Sequence, residues 1–231
     1  MRLSPLTCLI LTSLTATALP AAADAVLERA RTASKEGPPY ILDMVYERGS
    51  ERFQMTVDQS RPEGQRVTAF SPDPASLTGD AASRAERLKA RTTGEIWCSG
   101  FAANIPANAR RVSEAGGRAT YRFTPLPGPD DSNDIASAYR HLEATAVIDT
   151  ASGQIFSYQM SAPRSFKPNL AAKVDSFSLE VTCKPAPDGR THVETYRMRL
   201  AGSAMMQSFN QDESRRISNL RPAPVSGTGS R

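Results

Sequence analysis

Cys98 and Cys183, His141 and His192, and the acidic run Asp130, Asp131, Asn133 and Asp134 are the residues whose types could carry chemistry. A nucleophilic cysteine needs a histidine base held beside it. Cys98 stands in the small, flexible context Cys98-Ser99-Gly100, but His141 and His192 are the only two histidines and neither lies in a recognisable motif. The acidic run could offer oxygens to Ca²⁺, yet its spacing is not that of an EF-hand loop and no glutamate follows at the required place. A solvated acidic loop is the reading it supports. His192 and Glu194 lie two apart on an expected strand and so share a face, but two ligands are too few for a closed zinc site. G-x-S-x-G, Walker A, H-E-x-x-H and G-x-G-x-x-G are all absent from the sequence. The expectation is a chain with no catalytic residues, no metal and no cofactor, hence not an enzyme.

The compartment narrows the reading of the cysteines. Arg2 supplies a positive start, Leu9 to Leu19 are apolar or small, and Pro20 precedes Ala21-Ala22-Ala23. This is the pattern of a secretory signal peptide cut after Ala23. The apolar stretch is too short and too rich in threonine for a membrane span, and no later segment approaches the 18 apolar residues one needs. A soluble, periplasmic chain is expected. There Cys98 and Cys183 read first as a disulfide, and closing so long a loop stabilises by roughly 4–5 kcal/mol. The net charge of +4 and the isoelectric point near 9.1 come from scattered residues without interleaved aromatics, so no nucleic-acid partner is expected.

The elements that must position these residues show as changes of hydrophobic period. Asp24 to Lys35 reads as a helix stopped by Gly37-Pro38-Pro39. Tyr40, Leu42, Met44 and Tyr46 alternate, Gly49-Ser50 turns, and Phe53, Met55 and Val57 alternate again, which is a hairpin signal. A third strand is expected through Val67, Ala69 and Phe70. Asp80 to Arg91 has a helical period, with Ala81, Ala85 and Leu88 on one face and a cap at Thr78 or Asp80. Ile96, Trp97 and Phe101 are expected to anchor its end to the core. Val112 and Tyr121 to Phe123 flank Gly116-Gly117, a second hairpin, and residues 125–133 read as a loop.

Four alternating stretches follow: Leu142 to Ile148, Phe156 to Met160, Phe177 to Cys183, and Tyr196 to Leu200. Asp149–Gly153 and Asp188-Gly189 are their turns. A final strand is expected through Ala204, Met206 and Phe209, and residues 221–231 as a disordered tail. Short turns favour an antiparallel meander. The half-apolar sheet needs a partner layer, which the two helices can supply. The expected fold is α+β: a signal peptide over 1–23, then one domain over 24–220 built as a curved antiparallel sheet covered by helices on one face.

The fragment RPEGQRVTAFSP, running from Arg61-Pro62 through Arg66 to Pro72, resembles the strand–RP–strand–Pro segment of the LolA family of periplasmic lipoprotein carriers. Thr93-Gly94-Glu95-Ile96-Trp97 resembles the turn and aromatic strand that follow it there. The C-terminal strands resemble that family's meander, shared with the envelope-stress sensors of the MucB group. The resemblance implies an unclosed β-barrel whose concave face, roofed by helices, holds acyl chains among apolar side chains. By it, Arg61 matches the loop arginine that contacts the lid helices. The helix at 80–91, the Cys98/Cys183 pair and the Asp-rich loop have no counterpart in that pattern.

The function so implied is that of an exported, non-catalytic carrier or binder of lipid or lipidated protein. Its acyl-chain trough is expected at Leu42, Met44, Phe156, Tyr158, Met160, Phe177 and Leu179, with Arg61 at the lid. Methionines at 44, 55, 160, 198, 205 and 206 suit irregular apolar ligands, though they also fill ordinary cores. The alternative is a protein-interaction or envelope-stress sensor module that uses the same fold to bind an envelope protein without lipid cargo.

Overall fold

A computed structural model describes residues 24–34, 36–128 and 133–224. The expected signal peptide, Asp130 and Asp131, and the tail from residue 225 lie outside the described residues. In chain order the elements are α1 (Ala25–Thr32), β1 (Tyr40–Arg48), β2 (Glu51–Asp58), β3 (Val67–Ser71), α2 (Gly79–Arg91), a 3-10 segment (Cys98–Asn104), β4 (Arg110–Ala115), β5 (Arg118–Phe123), α3 (Asn133–Tyr139), β6 (Glu143–Asp149), β7 (Ile155–Ser161), β8 (Phe166–Asn169), β9 (Ala172–Pro185), β10 (Thr191–Ala204) and β11 (Gln207–Pro222). All strands join one antiparallel sheet in the order β3-β2-β1-β11-β10-β9-β7-β6-β5-β4, with β8 paired to β9. The sheet does not close.

That order departs from a simple meander at one seam. The N-terminal hairpin is added to the last strand, where Met44 sits opposite Ile217 and Tyr46 opposite Arg215. The strand β11 therefore lies inside the sheet and extends to Pro222, which pairs with Tyr40. Arg221 and Pro222, expected in the tail, belong to this strand, and Ala223 is buried with its N–H donated to the Pro39 carbonyl at 2.9 Å. Pairing with β1 satisfies backbone groups that a free tail would leave to water.

Alternation places one set of side chains on a shared face. Cross-strand neighbours run from Phe53–Tyr46 and Met55–Met44 at one end to Leu179–Met160, Val181–Tyr158 and Tyr158–Ala146 at the other. The apolar residues of that face fall into two clusters. One joins β1 and β2 with Ala85 of α2, Ile96, Trp97 and Ile217. The other joins β5, β6, β7 and β9 with Val26, Leu27 and Ala30 of α1 and with Cys98, Ala102 and Ile105. Asp24 caps α1, accepting from the N–H groups of Val26 and Leu27 at 3.0 and 3.4 Å. Thr78 stands at the N-cap of α2 but its side chain makes no capping bond.

Cys98 and Cys183 are at disulfide distance, S–S 2.02 Å with the Cα atoms 6.4 Å apart. The bond fastens the 3-10 segment to β9. Beside it, Trp97 forms an isolated bridge with His192, and the Val193 N–H donates to the Ile96 carbonyl at 2.8 Å.

Candidate functional site

The residues expected to line one trough do not meet in one place. Leu42 and Met44 lie in the cluster under α2, while Tyr158, Met160 and Leu179 lie in the cluster under α1, with Phe177 partly buried against it. Leu42 and Tyr158 are completely buried side chains among packed neighbours. Tyr158 stacks on Phe101 at 5.0 Å, and burial pushes its phenol pKa well up. Phe156 leaves the set. Ile148 pairs with Ile155 and Val147 with Ser157, so Phe156 is the extra residue of a bulge, under the Arg118 guanidinium at 3.9 Å from its ring centroid. Arg61 is exposed in the turn after β2. It pairs with Asp58 at 3.3 Å, and its carbonyl accepts from Arg66 at 3.0 Å.

The histidines do not assemble a catalytic pair. His141 stacks on Phe166, ring centroids 4.6 Å apart, and accepts from Arg140 at 3.1 Å. His192 is buried, its backbone bridged to that of Trp97; desolvation lowers its pKa, and its Nδ1 has no hydrogen-bond partner among the described residues. Cys98, bonded to Cys183, offers no thiol. Among the described residues no group of three or more His, Cys, Asp or Glu could hold a metal ion, and no helix is long and apolar enough to cross a membrane.

The arrangement with most chemical capacity is a groove of about 320 Å³ between α2 and β1. Met44, Tyr46 and Leu88 give it an apolar floor, and Arg48, Arg84, Arg87, Arg91 and Arg215 surround it, against one acid, Glu95. Arg84 pairs with Glu51 of β2, and Arg215 with Glu213 at 2.8 Å. Arg87 and Arg91 make no ion pair among the described residues. The helix supplies three of the arginines because positions 84, 87 and 91 recur at near-helical spacing beside Leu88.

Under the groove lies a polar seam. Glu213 is buried; its Oε2 accepts from the Tyr46 hydroxyl at 3.0 Å and its Oε1 from the Arg215 guanidinium. That guanidinium stands over the rings of Tyr196 and Tyr46, at 5.2 and 5.8 Å. Desolvation raises the pKa of both phenols, with Glu213 adding to the effect on Tyr46.

A larger cavity of about 610 Å³ opens among the opposite-parity side chains of the central strands. Its charges are closer to balanced: Glu47, Glu180 and Asp212 stand against Arg52, Arg197, Arg215 and Arg216, with Arg52 paired to Glu47 and Arg197 to Asp212 at 3.1 Å, and the Thr182 and Thr195 hydroxyls share a hydrogen bond at 2.6 Å. The groove under α2, by contrast, holds an excess of positive charge over an apolar floor. The sequence shows the three arginines of α2; Arg48 joins them from β1, and Arg215 only because β1 pairs with β11. No family model, curated protein or solved structure matches this chain.

Proposed function

We propose that the chain is an exported, non-catalytic binder of a lipid or lipidated protein, and that the groove under α2 receives an anionic head with the start of its acyl chain. The observation that carries this reading is the pairing of an apolar floor at Met44, Tyr46 and Leu88 with unspent guanidinium groups at Arg87 and Arg91. An anionic amphiphile needs both. Guanidinium–phosphate or guanidinium–carboxylate hydrogen bonds fix the head, and each CH₂ buried adds about 0.8 kcal/mol.

The helix α2 is suited to act as the roof. Its apolar hold on the sheet is small, Ala85 buried and Leu88 partly so, with the Arg84–Glu51 pair as its polar tie to β2. Lifting it uncovers the row Leu42, Met44, Met55 and Val57, a length of apolar sheet for the rest of the chain. In this reading Leu42 and Met44 line the trough, and Tyr158, Met160, Phe177 and Leu179 build the wall under α1.

Native mass spectrometry and titration with a fluorescent fatty acid test the proposal. Saturable uptake of one ligand per chain is expected, weakened at least ~10-fold by Arg87→Glu with Arg91→Glu. Protein that stays empty in both assays overturns it. A second reading, an envelope-protein interaction module, is favoured by β4, an edge strand whose six residues are all exposed. Val112→Pro then abolishes partner binding and leaves fatty-acid uptake intact.

A further inference from the structure

Three strands outrun the rest of the sheet. The last partner of β1 on β11 is Glu213, and the last partner of β7 on β9 is Ser178. Beyond those points β9, β10 and β11 continue alone, with Arg199–Ala204 paired to Gln207–Asp212 and β8 laid along β9. At about 3.3 Å per residue this tongue projects roughly 20 Å. It is a packed element. Gly202 leaves room for the Lys173 carbonyl and the Phe209 ring, and Phe166 pairs with Val174.

The end of the tongue contradicts ordinary surface chemistry twice. Leu170 is 104% exposed, Met205 81% and Met206 102%, the three most exposed large apolar side chains among the described residues. The Met205 N–H donates to the Ala171 carbonyl at 2.9 Å, which holds the two turns together so that these side chains share one tip. Met205 and Met206 also have φ of 48° and 66°. They form a two-residue hairpin turn with both central residues left-handed, where asparagine and glycine are favoured and long side chains are not. The chain accepts backbone strain and exposed apolar surface at the same two positions. Strain concentrated this way marks a functional site.

We infer that this tip inserts into an anionic lipid surface. The tip is convex, so it needs no complementary pocket, and a bilayer interface accepts such a shape. The bases Lys167 and Lys173 flank Leu170, against Asp175, which pairs with Lys173. Basic residues beside inserted apolar groups suit a negative membrane face. This contact is independent of the groove under α2.

The test uses vesicles of phosphatidylethanolamine with a third phosphatidylglycerol. A Met206→Trp variant reports on the tip directly, because the native Trp97 is buried and gives a constant background. A blue shift on adding these vesicles, quenched by brominated lipid, is expected, with a much smaller shift for phosphatidylcholine alone. Against the wild type, the triple variant Leu170→Ser, Met205→Asn, Met206→Gly is expected to lower vesicle partitioning about tenfold while its unfolding midpoint rises, since Asn-Gly suits the turn. Arg87→Glu with Arg91→Glu leaves the Met206→Trp shift in place, which separates this contact from ligand uptake. An emission spectrum that vesicles do not move overturns the inference. So does a wild-type dimer that ignores vesicles and is broken by the triple variant, which assigns the tip to a second copy of the chain.

Discussion

The hydroxyl of Tyr46 in β1 donates to the carboxylate of Glu213 in β11 across 3.0 Å, joining the first strand of the sheet to the last. Glu213 is 8% exposed, and Arg215 supplies its other oxygen with two hydrogen bonds. Tyr46→Phe removes one donor from a buried carboxylate and leaves the ring packing on Phe53 intact. The expected cost is about 1–3 kcal/mol, read as a lower urea midpoint at unchanged slope. An unaltered midpoint would show that the seam is held by backbone pairing alone.

This seam also marks where the sequence becomes hard to read. Tyr40, Leu42, Met44 and Tyr46 announce β1 because every core-facing position is large and apolar, and α2 shows for the same reason through Ala85 and Leu88. The core-facing positions of β11 are Glu213, Arg215 and Ile217, so a strand in the middle of the sheet has the composition of a surface segment. Phe156 breaks the alternation of β7 through a bulge that one-strand periodicity cannot show. Met205 and Met206 hide a turn, because turn chemistry calls for other residues there. Arg190 was equally silent: next to the Asp188-Gly189 turn it is 8% exposed, 3.5 Å from the Trp97 ring centroid, and hydrogen-bonded to Asp188 and the Pro38 carbonyl. The Arg215 side of the groove depends on that hidden strand, and so only its α2 and β1 sides are legible in the sequence.

The bond between Cys98 and Cys183 spans 85 positions. Among the described residues it is the covalent tie between the 3-10 segment and the sheet. Reduction is expected to cost about 4–5 kcal/mol by freeing the unfolded chain, and to loosen the Cys98–Asn104 segment first, since its remaining links to β10 run through Ile96 and Trp97. Unfolding with and without reductant measures the first effect. Hydrogen exchange in residues 98–104 measures the second, and equal protection in both states would count against the role given to the bond.

His192 and Asp24 contribute to the pH dependence of stability in separate windows. Desolvation lowers the pKa of His192 from its ordinary 6.5, with the Glu194 charge and a hydrogen bond to the Lys184 backbone opposing and the Lys184 charge adding to the fall. The unfolded chain therefore binds this proton more readily, so stability is full above about pH 6.5 and falls as the pH drops below it. Desolvation alone would raise Asp24, but hydrogen bonds from Arg111, Tyr121 and the N–H groups of Val26 and Leu27 outweigh it and hold the carboxyl below its ordinary 3.8. Its contribution is present above that value and lost as the pH falls further. His192→Phe is expected to remove the first decline in urea midpoint. Asp24→Asn keeps the cap and lessens the second, the rest of which belongs to Asp58, Asp149, Asp188 and Asp212, whose hydrogen bonds also hold them below 3.8. Identical pH profiles in wild type and both variants would exclude this assignment.

Gly153, in the turn from β6 to β7, has φ of +76°, and a Cβ there would lie 2.7 Å from the Arg29 carbonyl carbon and 2.8 Å from the Ala30 nitrogen. The turn presses on the backbone of α1, which Arg29 reinforces by donating to the Thr150 carbonyl at 2.6 Å. Gly153→Ala thus costs twice: a left-handed alanine, about 1–2 kcal/mol, and displacement of the helix from the cluster it shares with Ile148 and Ile155. Gly116 separates the two costs. Its φ is +57° with nothing within 4 Å of a built Cβ, so Gly116→Ala pays the conformational part alone. Urea unfolding should rank Gly153→Ala clearly below Gly116→Ala, with exchange protection lost in Ala25–Thr32 only for the former. Equal losses would mean that α1 yields to the turn at no cost, and that its packing, rather than this contact, sets its place on the sheet.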